Sequence, residues 1–128
     1  VNIDMNADSV AMRTHQKTMF YNDLANVVEL SPERLKAFNE IINYLRTKGS
    51  VYIVRIPTSK NLTAIENKKY PHFSKLLQDI AHQQNIRVFD FSKNYADYDY
   101  TDGNHMYKES GKKLTSQIAD SIIASRKK

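Results

Sequence analysis

The sequence predicts an α/β protein with a three-layer, flavodoxin-like parallel sheet and flanking helices, and two observations support the α/β class. Two mostly apolar, β-branched segments, residues 51–56 and 86–91, are typical of buried strands. A helical pattern separates them, and a strand–helix–strand order gives a right-handed parallel unit. Two convincing strands are few for a parallel sheet. Either residues 1–30 add a strand, another chain completes the sheet, or the chain is an incomplete, C-terminal portion of a larger fold, which is the explanation we expect.

The elements follow in order along the chain. Residues 1–30 show no clear hydrophobic period, and we expect an N-terminal arm or short elements there, separate from an α/β unit over residues 31–128. Ser31-Pro32 is typical of a helix start, since serine caps the free amides and proline fits the first helical position. An apolar stripe then predicts the helix itself, with members Leu35, Phe38, Ile41, Ile42 and Leu45.

The second half of the chain alternates in the same way. We expect a polar loop over residues 58–69, a helix ending near Asn85 and, after the second strand, a loop over residues 92–105. The final helix spans about residues 107–125. Its predicted inward face consists of Leu114, Ile118, Ile122 and Ile123.

Composition excludes several classes of protein. Hydrophobic content of 41% with 26% charged residues is ordinary for a globular protein, and no apolar run approaches the roughly 20 residues of a membrane span. The absence of cysteine excludes disulfides, zinc thiolate sites and cysteine catalysis. The net charge of +5 comes from scattered doublets and a basic tail, which favours solvated surface charge over a nucleic-acid face.

The start of the chain carries no signal-peptide pattern. It begins with Val1 instead of methionine, which suggests a processed product or a piece of a longer chain.

The most informative motif is Asp102-Gly103-Asn104-His105. A histidine general base needs one ring nitrogen free for the reacting proton and the other held by an acceptor. A carboxylate three residues earlier in a turn can hold it. The same residues also suit an ordinary Asp-Gly turn in which Asn104 or His105 caps the final helix, and spacing alone does not separate these interpretations.

The run from Tyr100 to Gly111, with the helix after it, resembles the last conserved block of the SGNH (GDSL-type) hydrolase and acyltransferase superfamily. In that block an Asp-x-x-His pair precedes the final helix. Here Met106 and Tyr107 stand where the family has Leu and Ser, and Gly111 keeps its place. The resemblance covers about residues 31–125 and is greatest to cell-envelope branches, including alginate O-acetylation and teichoic-acid D-alanylation proteins.

The resemblance implies a serine ester hydrolase or O-acyltransferase in which His105 is the general base and Asp102 orients it. A serine acyl-enzyme would pass the acyl group of an acylated small molecule to water or to a cell-envelope carbohydrate, without a cofactor. It further implies an extracytoplasmic location in a bacterium.

The nucleophile of such an enzyme is not identified in the sequence. Asp8-Ser9 lacks the glycine of the family's Gly-Asp-Ser block, and the Gly-x-Asn-Asp block that helps form the oxyanion hole is missing. We therefore expect the nucleophile to lie outside this chain, in a missing N-terminal half, and the chain alone to be inactive. Alternatively, self-association completes the sheet.

Three further side chains are weaker candidates for substrate binding. Thr58 and Ser59 follow the first strand at the edge where parallel sheets bind ligands, and Tyr100 lies in the loop before His105. Each has a competing structural role, because loop hydroxyls satisfy backbone groups and tyrosine rings cover loops. Arg55, inside the strand, is expected to pair with an acid within the structure.

No metal site is predicted, although Asp97, Asp99, Asp102 and His105 are close in sequence. A calcium loop that started at Asp97 would need glycine at its sixth position and glutamate at its twelfth, where Asp102 and Lys108 stand. Two other functions stay open. One is a non-catalytic binding or assembly module, and the weaker one is a basic nucleic-acid-binding domain that uses the tyrosines of this loop for stacking.

Overall fold

Two short parallel strands, β1 (Tyr52–Arg55) and β2 (Arg87–Asp90), form the sheet of this protein. In the computed structural model, which describes residues 3–126, Tyr52 pairs with Arg87 and Arg55 with Asp90. The predicted strands and their parallel pairing are therefore confirmed. The helices of the described chain are α1 (Ala7–Val27), α2 (Pro32–Arg46), α3 (Lys60–Lys69), α4 (Phe73–Gln83) and α5 (Lys108–Arg126).

The mixed helix and strand content confirms the α/β class. Over residues 3–126 the sheet has two strands, and helices α3 and α4 form the connection between them. A full three-layer, flavodoxin-like sheet remains a prediction. None of the helices in this described part is long and apolar enough to cross a membrane.

Helix α1 replaces the extended arm or short elements predicted for residues 1–30. The side chain of Asn6 caps it by accepting a hydrogen bond of 3.0 Å from the backbone N–H of Asp8. No residue of α1 is buried. A helix without a buried face has no reason to carry an apolar stripe, which is why hydrophobic periodicity did not reveal it.

Helix α3 occupies most of the segment predicted as a polar loop, residues 58–69. Within it only Leu62 and Thr63 are buried, and the other side chains are exposed or half-buried. The helix packs against α1. Its two buried positions are adjacent in sequence, so they produce no repeat at helical spacing.

A hydrophobic cluster joins α2, β1 and α4. Its buried members are Ile42, Ile53, Leu77, Ile80 and Ala81. Leu35 and Phe38 pack against it, as the stripe on α2 predicts, whereas Ile41 and Leu45 of that stripe are exposed.

A second cluster lies under the loop that leads to α5, where Tyr98, Tyr100 and Leu114 are buried together. Ile118 packs against these residues, but Ile123, predicted to face inward, is exposed. The loop itself begins with a 3-10 helix over Ser92–Asp97. This cluster packs against Met106, so it anchors the segment that contains the Asp-x-x-His motif.

Candidate active site

A short hairpin presents the Asp-x-x-His motif. An antiparallel bridge joins Tyr100 to Met106. Inside it, the carbonyl of His105 accepts two hydrogen bonds from Thr101, one from the backbone N–H at 2.8 Å and one from the side-chain hydroxyl at 3.2 Å. Gly103 turns the chain with φ at +84°, in the left-handed region that glycine adopts without steric cost. The two ends of the motif are thereby held together.

Asp102 and His105 are hydrogen-bonded to each other, with 2.9 Å between Asp102 Oδ2 and His105 Nδ1. The other carboxylate oxygen, Oδ1, accepts hydrogen bonds from the backbone N–H of Asn104 at 3.0 Å and of His105 at 2.8 Å. The carboxylate is 14% exposed and the imidazole 66%. This arrangement holds one ring nitrogen and leaves Nε2 without a hydrogen-bond partner among residues 3–126.

The same contacts set the charge of Asp102. Burial raises the pKa of its carboxyl, but hydrogen bonds from the backbone and side chain of His105 and from the backbone of Asn104 outweigh that effect. The net pKa is lowered from the ordinary value of 3.8. Asp102 is therefore ionised at neutral pH and suited to stabilise an imidazolium at His105.

Helix α1 reaches this hairpin through Arg13, a contact that sequence reasoning missed. The Arg13 Nε donates to the carbonyl oxygen of Thr101 at 2.8 Å, and its Nη2 donates to the carbonyl of Asp4. Thr101 is buried. Because Thr101 directly precedes Asp102, this contact ties the start of the motif to the N-terminal helix.

Of the three weaker candidates, only Ser59 contacts the hairpin turn. Its backbone N–H donates to the carbonyl of Gly103 at 2.8 Å, while its hydroxyl is buried without a hydrogen-bond partner among the described residues. The hydroxyl of Thr58 lies 3.2 Å from that of Thr63, which also donates to the Thr58 carbonyl at 3.1 Å. Thr58 therefore stabilises the start of α3.

Tyr100 lies beneath the hairpin in the second hydrophobic cluster. Its hydroxyl donates to the carbonyl of Tyr95 at 3.2 Å, and burial raises its pKa to about 12. Tyr98 is buried beside it and bonded to Gln117. The rings of Tyr98 and Tyr100 are therefore part of the hydrophobic cluster under the Asp-x-x-His motif, and they are not exposed to a ligand.

No serine of the described chain is hydrogen-bonded to His105. The Ser9 hydroxyl donates to Asp4 Oδ2 at 2.8 Å near the start of α1. A second Asp-Ser pair, Asp120-Ser121, lies in α5, where the Ser121 hydroxyl donates to the carbonyl of Gln117 at 2.8 Å. Residues 3–126 also contain no cluster of three or more His, Asp or Glu side chains that could hold a metal ion.

Arg55 pairs within the structure, as predicted. Its guanidinium donates a hydrogen bond of 2.6 Å to the Ser74 hydroxyl, which in turn donates one of 2.6 Å to the Asp90 carboxylate. The guanidinium also lies 3.3 Å from the carboxylate of Glu66 and 3.8 Å from that of Asp90. Arg55 and Ser74 of this network line a cleft of about 620 Å³ between α3, α4 and the 3-10 helix. The charge of Arg55 is already neutralised by two carboxylates.

The free hydroxyl of Ser59 leads to a first testable prediction. Replacing Ser59 with alanine is expected to leave the free energy of unfolding unchanged or to raise it by up to about 1 kcal/mol, since the change removes a buried hydroxyl without a partner. Ser31 is the matched control, because its hydroxyl accepts from the Arg34 N–H at 3.2 Å. Ser31→Ala should lower stability by about 1 kcal/mol. Chemical denaturation distinguishes the two, and equal losses would contradict the prediction.

Together the fold and the hairpin define an α/β protein with an Asp–His pair whose imidazole is exposed to solvent, next to the loop that follows β1. Comparison with protein-family models, with curated proteins and with solved structures found no match for this chain. A function is therefore argued from the geometry of the pair.

Proposed function

We propose that this chain is the C-terminal part of a serine ester hydrolase or O-acyltransferase and contributes its Asp-x-x-His base pair. The observation that supports the proposal is the 2.9 Å contact between His105 Nδ1 and Asp102 Oδ2 beside a largely exposed imidazole. A general base needs this combination, in which one nitrogen is held by a carboxylate and the other is open to solvent. The resemblance of the Tyr100–Gly111 segment to the SGNH superfamily points the same way.

The proposed reaction is acyl transfer through a covalent serine intermediate. The Nε2 of His105 takes the hydroxyl proton of a serine supplied from outside this chain as that oxygen attacks the ester carbonyl. The alkoxide leaves with that proton, and an acyl-enzyme remains. Water or a carbohydrate hydroxyl then attacks the acyl group and loses its proton to His105. The bond between the acyl group and the serine oxygen breaks, and that oxygen takes the proton back from His105 as the acylated product leaves. Asp102 stabilises the imidazolium at both stages.

The substrate and location belong to the same proposal. We expect an acylated small molecule as donor, a cell-envelope carbohydrate or water as acceptor, and an extracytoplasmic place in a bacterium. These expectations derive from the resemblance to the envelope branches. No cofactor takes part in the proposed steps.

The rival functions differ in what they require of the molecule. A binding or assembly module has no need of a hydrogen-bonded Asp–His pair at an exposed turn. A nucleic-acid-binding surface needs open aromatic rings, whereas Tyr98 and Tyr100 are buried at 6% and 9% exposure and Tyr95 and Tyr107 are half-buried. The geometry therefore favours the catalytic function over both alternatives.

A serine-reactive fluorophosphonate probe tests the proposal, since it labels only a serine that a neighbouring base activates. In the protein expressed from its complete gene, we expect one labelled serine outside residues 1–128. His105→Ala should abolish the labelling. His82→Ala serves as the control, because His82 is exposed on α4 and belongs to another part of the surface.

The outcomes separate the alternatives. Absence of labelling, or labelling that persists in His105→Ala, would rule out a base role for His105. A label on Ser9 or Ser59 would show that the nucleophile is within the chain, and would overturn the proposal that it comes from outside. The isolated chain is expected to remain unlabelled and to hydrolyse no activated acetyl ester.

A further inference from the structure

A cavity of about 320 Å³ lies directly beside the Asp–His pair. It is lined by α1 and by the hairpin, through Arg13, Gln16, Lys17, Phe20 and Asp102. Two of these five residues are cationic and lie one helical turn apart on α1, so their side chains share one face of that helix. The cavity therefore combines positive charge with the carboxylate of the proposed acid–base pair.

Neither cation forms a close ion pair in the described chain, although the Asp4 carboxylate is near enough to Arg13 for the guanidinium to help lower its pKa. Over residues 3–126 no carboxylate oxygen lies within 4.0 Å of the Arg13 guanidinium or of the Lys17 ammonium, although other lysines of the chain are paired. Arg13 uses its Nε and Nη2 to bind the carbonyls of Thr101 and Asp4. Its Nη1 group and the Lys17 ammonium have no hydrogen-bond acceptor in the described structure, and both are available to a ligand.

The other lining residues are compatible with an anionic ligand. Asp102 carries negative charge, but both of its oxygens are directed to His105 and Asn104 and are already hydrogen-bonded. Phe20 is 56% exposed and offers apolar surface for the carbon part of a ligand. Gln16 adds a neutral donor and acceptor. Arg13 and Lys17 bring two positive charges to a cavity lined by one carboxylate, Asp102, while the Asp4 carboxylate acts on Arg13 from outside that lining.

We propose that this cavity binds an anionic group, a carboxylate or a phosphate monoester, carried by the acyl donor or acceptor. Lys17 and the Nη1 group of Arg13 donate charge-assisted hydrogen bonds to the anion, and Phe20 contacts the adjoining carbon skeleton. The position of the cavity next to Asp102 places the bound group close to the reacting ester. This assignment of a substrate class rests on the proposed function, whereas the binding of the anion does not.

The test measures binding to this chain by two-dimensional nitrogen–proton NMR titration. Glucose 6-phosphate and glucuronate are the probes, and glucose is the neutral counterpart of both. We expect both anions, or one of them, to shift the amides of residues 13–20 and 102–105, and glucose to shift neither set. The tighter of the two anions identifies whether the natural group is a phosphate or a carboxylate.

Variants at Lys17 make the test specific. Lys17→Gln should weaken anion binding about tenfold, and Lys17→Arg should retain most of it. The matched control is Lys36→Gln on α2, which removes the same charge from an exposed position and should change binding less than about twofold. Arg13 is left intact because it also holds Thr101.

Either of two results would overturn the inference. One is an equal loss in Lys17→Gln and Lys36→Gln, which would mean diffuse attraction to a basic protein. The other is equal binding of glucose and the anions. Because fluorophosphonate labelling does not require this cavity to hold an anion, failure here leaves the acyl-transfer proposal standing. Failure of labelling alone leaves the anion site standing.

Discussion

Replacing Asp102 with asparagine is expected to lower the turnover of an activated acetyl ester by about 10³–10⁴-fold in the protein expressed from its complete gene. Asparagine keeps the shape of the side chain and can still accept the backbone hydrogen bonds of Asn104 and His105. It loses the negative charge, however, and its amide NH₂ can hold His105 in the wrong tautomer. An imidazolium that forms at His105 would then lack its counter-charge.

Asp99→Asn is the matched control for this experiment. Asp99 is exposed three residues earlier in the same loop, and its replacement removes the same charge without touching the pair. Its turnover should stay within about twofold of the wild type. Thermal denaturation of Asp102→Asn checks that the hairpin is retained. A folded Asp102→Asn variant with turnover within tenfold of wild type would contradict the role of Asp102.

Gly103→Ala is expected to lower the free energy of unfolding more than the addition of a methyl group at any other position of the hairpin. A left-handed backbone costs an alanine about 1–2 kcal/mol, and Gly103 has φ at +84°. The new Cβ would also lie 2.9 Å from the Ser59 hydroxyl and 3.0 Å from Thr14 Cγ2. Such overpacking costs typically about 1–3 kcal/mol, so chemical denaturation should show a loss of roughly 2–5 kcal/mol.

Two further variants isolate the cause of that loss. Gly111→Ala, where no atom lies within 4 Å of the added Cβ, should instead raise stability by about 0.5–1 kcal/mol, since the position is helical. Gly103→Ala combined with Ser59→Ala should recover part of the loss, and more than Ser59→Ala gains by itself, because the nearest clashing atom is removed. A double variant without that additional gain would assign the strain to the backbone and to Thr14 instead of Ser59.

The elements that the sequence predicted are those with a clear stripe or run of apolar residues. Helix α2 has the Ser31-Pro32 start and a stripe whose members Leu35, Phe38 and Ile42 lie in or against the core. Both strands were predicted from short runs of apolar, β-branched residues, of which Ile53 is buried and Val88 and Phe89 are half-buried. Helix α1 was missed because none of its residues is buried, and a surface helix of mixed composition carries neither a strand nor a helix period.

In the candidate site, the contact between residues close in sequence was predicted, and the contacts between distant residues were not. Asp102 and His105 are close in sequence, so their contact could be predicted from a turn and a spacing of three. Arg13 is 88 residues away from Thr101, which it holds, and Ser59 contacts Gly103 from the loop after β1. Contacts of this range depend on the packing of α1 and α3, which no local pattern in the sequence specifies.

The bridge between Tyr100 and Met106 closes the motif within a very short loop. Loop closure over so few residues costs little chain entropy, so little of the chain has to be ordered to bring Asp102 and His105 together. Distant contacts then hold this small loop in place, since Arg13 binds Thr101 and Ser59 binds Gly103. Under the proposed function, the orientation of the base is set within this chain, and a partner has to present its hydroxyl within reach of His105.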